Sequence, residues 1–228
     1  GLQKATMSFV VPKENYQGEP LSSVSKIEIL RNGKLIKTFE KPVLGVTLTY
    51  EDEHSDFGFN TYGIVAYRGE NAGVKVEQTV FCGIYSLPYI VAPTQQEFSL
   101  FTIKDNNNDD NTWYYDISDG SLKYAYCSNS ADDYVVTPAI ELGTAHMIEV
   151  VFDAKAGVMG SEKLEVTYGK SDKPEDQQKA QTFDLTNKEY QTFTATFEVT
   201  EHGRYYVGFH AISDPDQFTL NIKNIEVR

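Results

Sequence analysis

Two stretches decide the fold of the second half of this chain: FTIKDNNNDDNTW at residues 101–113 and DDYVVTPAIEL at residues 132–142. In the first, a short apolar run ends in a loop of Asp and Asn that leads to the only Trp. In the second, two Asp precede β-branched residues, and Pro138 then ends the run because proline removes a ladder hydrogen bond. Both stretches predict strands joined by polar loops.

The same pattern extends outward over the whole chain. In the first half the strand-like runs are MSFVV at 7–11, KIEIL at 26–30, VTLTY at 46–50, TYGIVAY at 61–67 and 74–81. Asn32-Gly33 between two runs predicts a tight hairpin, because both turn residues must reach positive φ. In the second half we predict strands at Phe98–Ile103, Leu122–Cys127, Tyr134–Val136, Met147–Phe152, Lys163–Tyr168, Tyr190–Phe197, Tyr205–Ala211 and Phe218–Val227. Short strands with regular turn signals predict an all-β chain of antiparallel sandwiches.

One polar stretch, residues 171–179, lacks an apolar stripe and has a Pro near its start. It is compatible with a single helical turn or an exposed loop, and we predict a loop.

Composition excludes several functional classes. Of 228 residues, 13% are aromatic, which is too many for a disordered chain. No apolar run approaches the roughly 20 residues of a membrane span, so we expect no direct membrane insertion. The 33 Asp and Glu against 20 Lys and Arg give a net charge of −13, which argues against nucleic acid as a partner. Cys82 and Cys127 are too few for a disulfide scaffold, and we expect them to be unpaired apolar residues in strands.

The acidity belongs almost entirely to the second half of the chain. Gly83, Pro88 and Pro93 interrupt regular structure within eleven residues and predict a boundary. Residues 1–84 carry 9 basic and 10 acidic residues, whereas residues 85–228 carry 11 and 23. We therefore predict two domains, 1–84 and 85–228. The first residue is not Met, and we expect the native chain to extend upstream.

The first domain resembles a fibronectin type III domain of the kind found in Bacteroidetes surface proteins. The resemblance covers about residues 4–84 and rests on ATMSF at 5–9, Pro12, GEPL at 18–21, KIEILRNGK at 26–34 and the run from Asn60 to Tyr67. It implies a β-sandwich in which Tyr62 is the tyrosine-corner residue. Phe9 occupies a position where these domains usually have Trp.

The second domain resembles the cleaved-adhesin, MAM-like jelly-roll family of gingipain haemagglutinin regions and secreted Bacteroidetes proteins. The two stretches quoted above, in that order, carry the resemblance, which covers about residues 86–228. In the family an Asp-rich loop followed by Trp is joined to a segment of the DDYVVTP type. The resemblance implies a jelly-roll β-sandwich with a structural calcium ion.

The loop residues themselves also suggest a cation. Asp105, Asn107 and Asp109 alternate, and a tight loop turns such oxygens towards one point, as a hard cation requires. The spacing matches the first half of an EF-hand loop, but Asp110 and Asp116 replace the Gly and Glu of that motif. The resemblance places Ca²⁺ at Asp105, Asn107 and Asp109, with Asp132 or Asp133 from the second stretch. The alternative is a solvated turn without metal.

Trp113, Tyr114 and Tyr115 form the candidate ligand-binding group, as a platform on which sugars stack. The alternative for Trp113 is a core residue at the start of a strand, which its large apolar surface favours. Because successive strand residues face opposite sides, the three rings cannot all share one surface.

No motif in the sequence predicts an enzyme; the alternative is a hydrolase, whose mark would be a pair of carboxylates clustered in a cleft. The four His, at 54, 146, 202 and 210, match no zinc spacing, and no nucleophile or phosphate-loop motif is present. We predict a non-catalytic adhesion or binding module pair, secreted or attached to the outer membrane at the cell surface, and monomeric within a larger multidomain chain. Its partner would be a host or cell-surface protein or a glycan. The alternative is a carbohydrate-binding module of a larger glycan-degrading or surface protein, and its mark would be a surface with two or more exposed aromatic rings.

Overall fold

The structure is a computed structural model that describes residues 4–143 and 146–228. The chain divides into two compact units, one ending at Ile84 and the other formed by Tyr85–Arg228. Both units are built from β-strands, so the chain is all-β as predicted. Among the described residues, no helix is long and apolar enough to cross a membrane.

The first unit contains two antiparallel sheets. Its strands are β1 (Ala5–Val10), β2 (Lys26–Arg31), β3 (Lys34–Glu40), β4 (Thr47–Asp52), β5 (Gly58–Arg68), β6 (Asn71–Ala72) and β7 (Val76–Cys82). Strands β1 and β4 form one sheet, and the other has the order β3-β2-β5 with β6 and β7 both paired to β5. Asn32 and Gly33 adopt positive φ between β2 and β3, as the hairpin prediction requires. Apolar residues of both sheets, Phe9 and Ile27 among them, pack into one core.

Tyr62 fastens the corner between β4 and β5, but not in the usual form of a tyrosine corner. In that motif the hydroxyl bonds to a backbone group a few residues upstream. Here the Tyr62 hydroxyl donates to the carboxylate of Asp52 at 2.8 Å, and Arg31 donates to the same oxygen at 2.8 Å. Burial and the Asp52 carboxylate together raise the pKa of Tyr62. The hydroxyl therefore stays protonated and keeps this bond.

The second unit is a jelly-roll β-sandwich. Its strands are β8 (Tyr85–Ser86), β9 (Tyr89–Ile90), β10 (Thr102–Asp105), β11 (Tyr114–Asp116), β12 (Ser121–Tyr124), β13 (Asp133–Val136), β14 (Ile140–Leu142), β15 (His146–Ala156), β16 (Glu162–Gly169), β17 (Gln177–Leu185), β18 (Gln191–Val199), β19 (Gly203–Ala211) and β20 (Leu220–Val227). In one sheet β19 is central. Strand β16 pairs with one edge of β19, and β17 lies beyond β16. Strands β13 and β14 pair with the other edge of β19, with β10 beyond β13 and β8 beyond β14. The other has the order β11-β12-β20-β15-β18, with β9 beside β20.

A single apolar core fills the space between these sheets. Phe152 of β15 meets Phe209 of β19 edge to face, with ring centroids 5.2 Å apart. The core strands alternate buried and outward residues, so their outward side chains face solvent.

Sequence predictions for two segments of this unit were wrong about the type of secondary structure. Phe98–Ile103 is not a strand: α1 (Gln95–Phe98) is capped by Thr94, whose hydroxyl accepts from the Glu97 amide at 3.1 Å, and β10 begins only at Thr102. Residues 171–179 are not simply a loop, because a 3₁₀ turn at Pro174–Asp176 leads into β17 at residue 177. Polar residues on an exposed edge strand gave no apolar alternation from which β17 could be recognised.

Candidate functional site

The Asp-rich loop after β10 is closed by hydrogen bonds within itself. The Asp105 carboxylate accepts the backbone N–H of Asp109 at 3.2 Å and that of Asp110 at 2.9 Å. Asn108 and Asp110 take positive φ, a conformation that Asn and Asp tolerate better than most residues. The alternation of carboxylates seen in the sequence therefore shapes a tight turn.

Asp109 is the centre of the loop. Its Oδ1 accepts the backbone N–H of Asn111 at 3.0 Å. Its Oδ2 accepts from the amides of Asn107 and Asn129, both at 3.1 Å, and from the thiol of Cys127 at 3.2 Å. Burial alone would raise the pKa of Asp109, but these donors outweigh it and hold the pKa below its ordinary value. Asp109 therefore joins the loop to residues 127–129.

Asp132 and Asp133 point to opposite faces of the sheet, so the predicted ligands do not all come together. Asp132 lies towards the outer face, where its Oδ1 contacts Nε2 of His210 at 2.7 Å and its Oδ2 accepts from Asn106 at 2.7 Å. Asp133 is completely buried and is the cross-strand partner of Asp105. Directly opposed residues share one face of a sheet, so Asp133 is the one that approaches the loop carboxylates.

Asp133 carries an unsatisfied oxygen. Its Oδ2 accepts the backbone N–H of Asp132 at 3.2 Å, whereas its buried Oδ1 has no hydrogen-bond partner. Burial, with the charges of Asp105 and Asp109, raises the pKa of Asp133 to about 6. The Tyr124 hydroxyl offsets part of that rise, although this buried hydroxyl also lacks a partner of hydrogen-bond geometry. A buried carboxylate with a free oxygen is costly unless something compensates its charge.

These residues fit a metal only in part. Carboxylate oxygens suit a hard cation such as Ca²⁺, and the free Oδ1 of Asp133 is an available donor. However, the oxygens of Asp105 and Asp109 accept the loop's own donors. Across residues 4–143 and 146–228, no group of three or more His, Cys, Asp and Glu is arranged to hold a metal ion.

The predicted aromatic platform does not form. Trp113 is 1% exposed and its Nε1 donates to the backbone carbonyl of Asp133 at 3.0 Å, so its ring is a core element and cannot stack on a ligand. Tyr115 packs on Phe98 with ring centroids 4.9 Å apart. Only Tyr114 is well exposed. Alternation along β11 separates these rings, as the sequence indicated it would.

Both cysteines are free, as expected. Cys82 ends β7 and is buried, whereas Cys127 lies beyond the end of β12 and not in the predicted strand. Burial and the neighbouring Asp109 carboxylate raise the pKa of the Cys127 thiol, which is therefore a hydrogen-bond donor to that carboxylate.

The end of the sandwich near the Asp-rich loop also carries an apolar surface, which the sequence analysis missed. We call it the end patch; its members, all at least 40% exposed, are Tyr126, Val158, Met159 and Phe218. Hydrogen bonds fix its loops: the Tyr126 hydroxyl donates to Asp216 at 2.6 Å, and the Gly157 N–H donates to the Thr219 carbonyl at 2.6 Å.

The glycines beside the end patch are the sequence feature that could have indicated the close approach of its loops. A Cβ on Gly157 would lie 2.7 Å from the Phe218 ring and 2.6 Å from the Thr219 hydroxyl. Only glycine lets loop 157–160 approach loop 216–219 so closely. In the sequence alone, however, Gly157 and Gly160 cannot be distinguished from glycines of ordinary turns.

Two of the described histidines, His202 and His210, lie beside carboxylates in separate places. His210 is 8% exposed, is stacked on Tyr134 at 3.8 Å, and lies between Asp132 and Glu165. His202 is an exposed surface residue 3.1 Å from a Glu141 oxygen.

Comparisons with known proteins give distant structural similarity. No family model matches the chain, and no curated protein matches it. The K1 cleaved adhesin domain of Lys-gingipain from Porphyromonas gingivalis W83 is similar over 57% of this chain and 90% of its own, with 13% identity and a TM-score of 0.48. A CBM4 structure is similar over 61% and 93%, with 16% identity and a TM-score of 0.44. TmCBM61 in complex with β-1,4-galactotriose is similar over 57% and 89%, with 13% identity and a TM-score of 0.42.

Proposed function

We propose that Tyr85–Arg228 is a non-catalytic adhesion module that contacts a partner protein through the end patch. The observation that carries this proposal is the exposure of four apolar side chains together at one end of a rigid sandwich. Val158 is 75% exposed, Met159 66%, Tyr126 52% and Phe218 40%. Hydrogen bonds hold the loops that carry these side chains beside one another, and clustered exposed apolar residues mark interaction sites on soluble domains.

The composition of the end patch favours a protein over a sugar. Tyr, Phe and Met are enriched at the centres of protein interfaces, where their apolar area is desolvated on binding. Val158 and Met159 offer no planar face or hydrogen-bonding group that a sugar would use. Fixed loops also reduce the entropy lost when a partner binds.

We also propose that the module is not catalytic, because its two buried carboxyl groups with raised pKa values lie away from solvent. A general acid needs a raised pKa and access to substrate. Burial raises the pKa of both Asp133 and Glu162, but these residues are 0% and 2% exposed. Neither carboxyl group can reach a substrate, so both have a structural role.

A structural Ca²⁺ ion remains part of the proposal. Asp133 Oδ1 would supply a free oxygen to this ion, and Asp105 and Asp109 would join it only by giving up hydrogen bonds from the loop's own donors. A bound divalent cation would supply positive charge that neutralises the buried Asp133 carboxylate. Its role would be to fix the loop beneath the end patch.

Glycan binding is the second candidate, because the end patch contains two exposed rings. Tyr126 and Phe218 lie on neighbouring loops, joined through the Tyr126–Asp216 hydrogen bond. Stacking of a sugar on these rings would give a carbohydrate-binding module in place of a protein adhesin.

For the first unit we propose a fibronectin type III-like spacer. The pairing of β1 with β4 opposite the order β3-β2-β5-β7, together with the Tyr62 corner, supports this assignment. Its net charge of −1 is consistent with a neutral connector. A monomeric, secreted or surface-exposed multidomain protein is the setting we propose for both units.

The test is binding to an array of immobilised extracellular proteins and to a glycan array. The double variant Phe218→Ser, Met159→Ser should weaken binding at least tenfold, and Val43→Ser, which removes a similarly exposed residue of the first unit, should not. Equal melting temperatures would confirm that the variants are folded.

The outcomes separate the candidates. Binding to proteins that depends on the end patch supports adhesion, whereas binding only to glycans replaces adhesion with the second candidate. Full binding by the double variant would show that the end patch is not the contact surface. A hydrolytic activity that tracks the purified protein would exclude a non-catalytic role.

A further inference from the structure

A recess lies at the end of the jelly roll opposite to the end patch. It forms where β16 and β18 end and where β17 and β19 begin, and its volume is about 480 Å³. We call it the tyrosine cleft. Its main side chains are Tyr168, Lys170, Asp176, Glu198, Glu201 and Tyr205. Small-molecule sites have volumes in this range and combine aromatic surface with a few polar groups.

Tyr168 provides a rigid aromatic wall. Its ring is stacked on Phe197 across the two sheets, with centroids 4.1 Å apart and planes 9° apart. Phe197 belongs to the core and is 5% exposed, so it holds the Tyr168 ring in place. Tyr168 is half-buried and lines the cleft, which leaves ring surface available to a ligand.

The other tyrosine already interacts with a cation. The Lys170 ammonium lies over the Tyr205 ring, 4.1 Å from its centroid, and 3.6 Å from a Glu201 oxygen. Tyr205 is fixed in turn, because its hydroxyl donates to the Glu201 carbonyl at 2.9 Å. The Lys170 ammonium is therefore already bound by the two groups that an ammonium ligand would use: an aromatic ring face and a carboxylate.

The remaining charge in the cleft is negative. Three carboxylates, those of Asp176, Glu198 and Glu201, face one ammonium, that of Lys170, which is paired with Glu201. The Ser171 hydroxyl donates to Asp176 at 2.6 Å, which leaves its charge uncancelled. Within the described part of the chain, Glu198 is found in no ion pair. The cleft therefore has two carboxylates without a cation.

We propose that the tyrosine cleft binds an organic cation, an ammonium or guanidinium group carried on an apolar stem. The cationic group would lie near Glu198 and Asp176, with its stem against the Tyr168 ring. Charge complementarity favours this class over a neutral sugar, and the net charge of −12 on residues 85–228 attracts cations to the module. An arginine side chain of a peptide, a polyamine and an amino sugar share this chemistry.

The experiment titrates the full chain with defined probes, followed by ¹H–¹⁵N NMR shifts. The probes are N-acetylargininamide, spermidine and glucosamine, with N-acetylcitrullinamide and N-acetylglucosamine as neutral counterparts. At least one cationic probe should bind, N-acetylargininamide and glucosamine should each exceed their neutral counterparts at least tenfold in affinity, and the shifts should centre on Tyr168. Comparison among the three cations identifies the source. Affinity should fall as salt is added.

Two variants change the cleft in opposite directions. Glu198→Gln should weaken binding at least fivefold, whereas Glu189→Gln, which removes the same charge from an exposed loop at the other end, should have little effect. Lys170→Met removes the competing ammonium from the Tyr205 ring, so it should tighten binding at least threefold.

The proposal is overturned if none of the cationic probes binds, if the neutral probes bind as tightly as the cations, or if Lys170→Met weakens binding. Shifts that map to the end patch would also overturn it. Because Glu198 and Lys170 lie at the opposite end from the end patch, the effects of their substitution do not depend on the proposed adhesion surface.

Discussion

Asp133→Asn tests the energetic reasoning about the Asp-rich loop. Asp133 is completely buried, one of its carboxylate oxygens has no partner, and burial raises its pKa from 3.8 to about 6. Each tenfold change in proton affinity corresponds to about 1.4 kcal/mol. At pH 7 the ionised side chain therefore lowers the free energy of unfolding by about 3 kcal/mol when no cation is bound.

The substitution removes that charge and keeps the shape of the side chain. An amide with an unpaired polar atom still costs about 1–2 kcal/mol, so the variant should be about 1–2 kcal/mol more stable than the wild type at pH 7 in EDTA. A raised carboxyl pKa gives stability that is present at low pH and lost as pH rises. The advantage of the variant should therefore shrink as pH falls from about 6 to about 4.

Added calcium should make the wild type more stable than the Asp133→Asn variant. A cation bound only to the folded wild type stabilises it by mass action, and the variant, lacking the carboxylate, should gain much less. Urea unfolding followed by Trp113 fluorescence reports the second unit alone, since this is the only Trp. Asp184→Asn, an exposed position on β17, is the control and should change stability little in either condition.

A variant more than about 1 kcal/mol less stable than the wild type in EDTA at pH 7 would show that the Asp133 carboxylate is satisfied in the folded chain. A wild type that calcium does not stabilise would remove the structural ion and leave the loop as a self-bonded turn.

Three further predictions concern the core and its polar contacts. Trp113 should show blue-shifted emission that added acrylamide barely quenches, and Trp113→Phe should cost about 2–3 kcal/mol in urea unfolding because it removes packing and the 3.0 Å bond from its indole. Ser213→Ala removes the 2.5 Å hydrogen bond to buried Glu162, whose pKa burial already raises; the loss of about 1–3 kcal/mol at pH 7 should diminish towards pH 4, where that carboxyl is neutral. Tyr62→Phe removes a hydrogen bond to a buried carboxylate and should lower the stability of the first unit by about 1–2 kcal/mol, measured by circular dichroism. For each of the three variants, an unchanged unfolding midpoint would contradict the contact from which its prediction is derived.

Local pattern was sufficient for most of the strands. The run of β-branched residues at 134–136 lies within β13, and Asn32-Gly33 forms the predicted turn. The prediction failed where side chains bond to a nearby backbone, as Thr94 does in capping α1. It also failed at β17, an edge strand whose residues are mostly polar and exposed, with only Leu185 fully buried.

For the candidate site, the sequence identified the Asp-rich loop but not the roles of its members. Asp132 and Asp133 are neighbours in sequence, and the sequence does not distinguish between them as ligands. The sheet sends one to His210 on the outer face and the other into the core. That distinction depends on strand register, which a short polar segment does not specify.

The end patch and the tyrosine cleft could not be predicted, because each is assembled from distant loops. Tyr126 and Phe218 are far apart in sequence, and so are Lys170 and Tyr205. Side chains on separate loops meet only after the strands between them have paired.

The sequence by itself determined the all-β class, because strand periodicity and turn chemistry are local properties of neighbouring residues. It also determined which half of the chain is acidic and where its Asp-rich loop lies. Tertiary structure alone decided that Trp113 is buried, that Asp133 is left with a free oxygen, and which apolar side chains stay exposed. These outcomes depend on how sheets pair and pack over long sequence separations, and it is at the loops joining those sheets that both proposed binding surfaces arise.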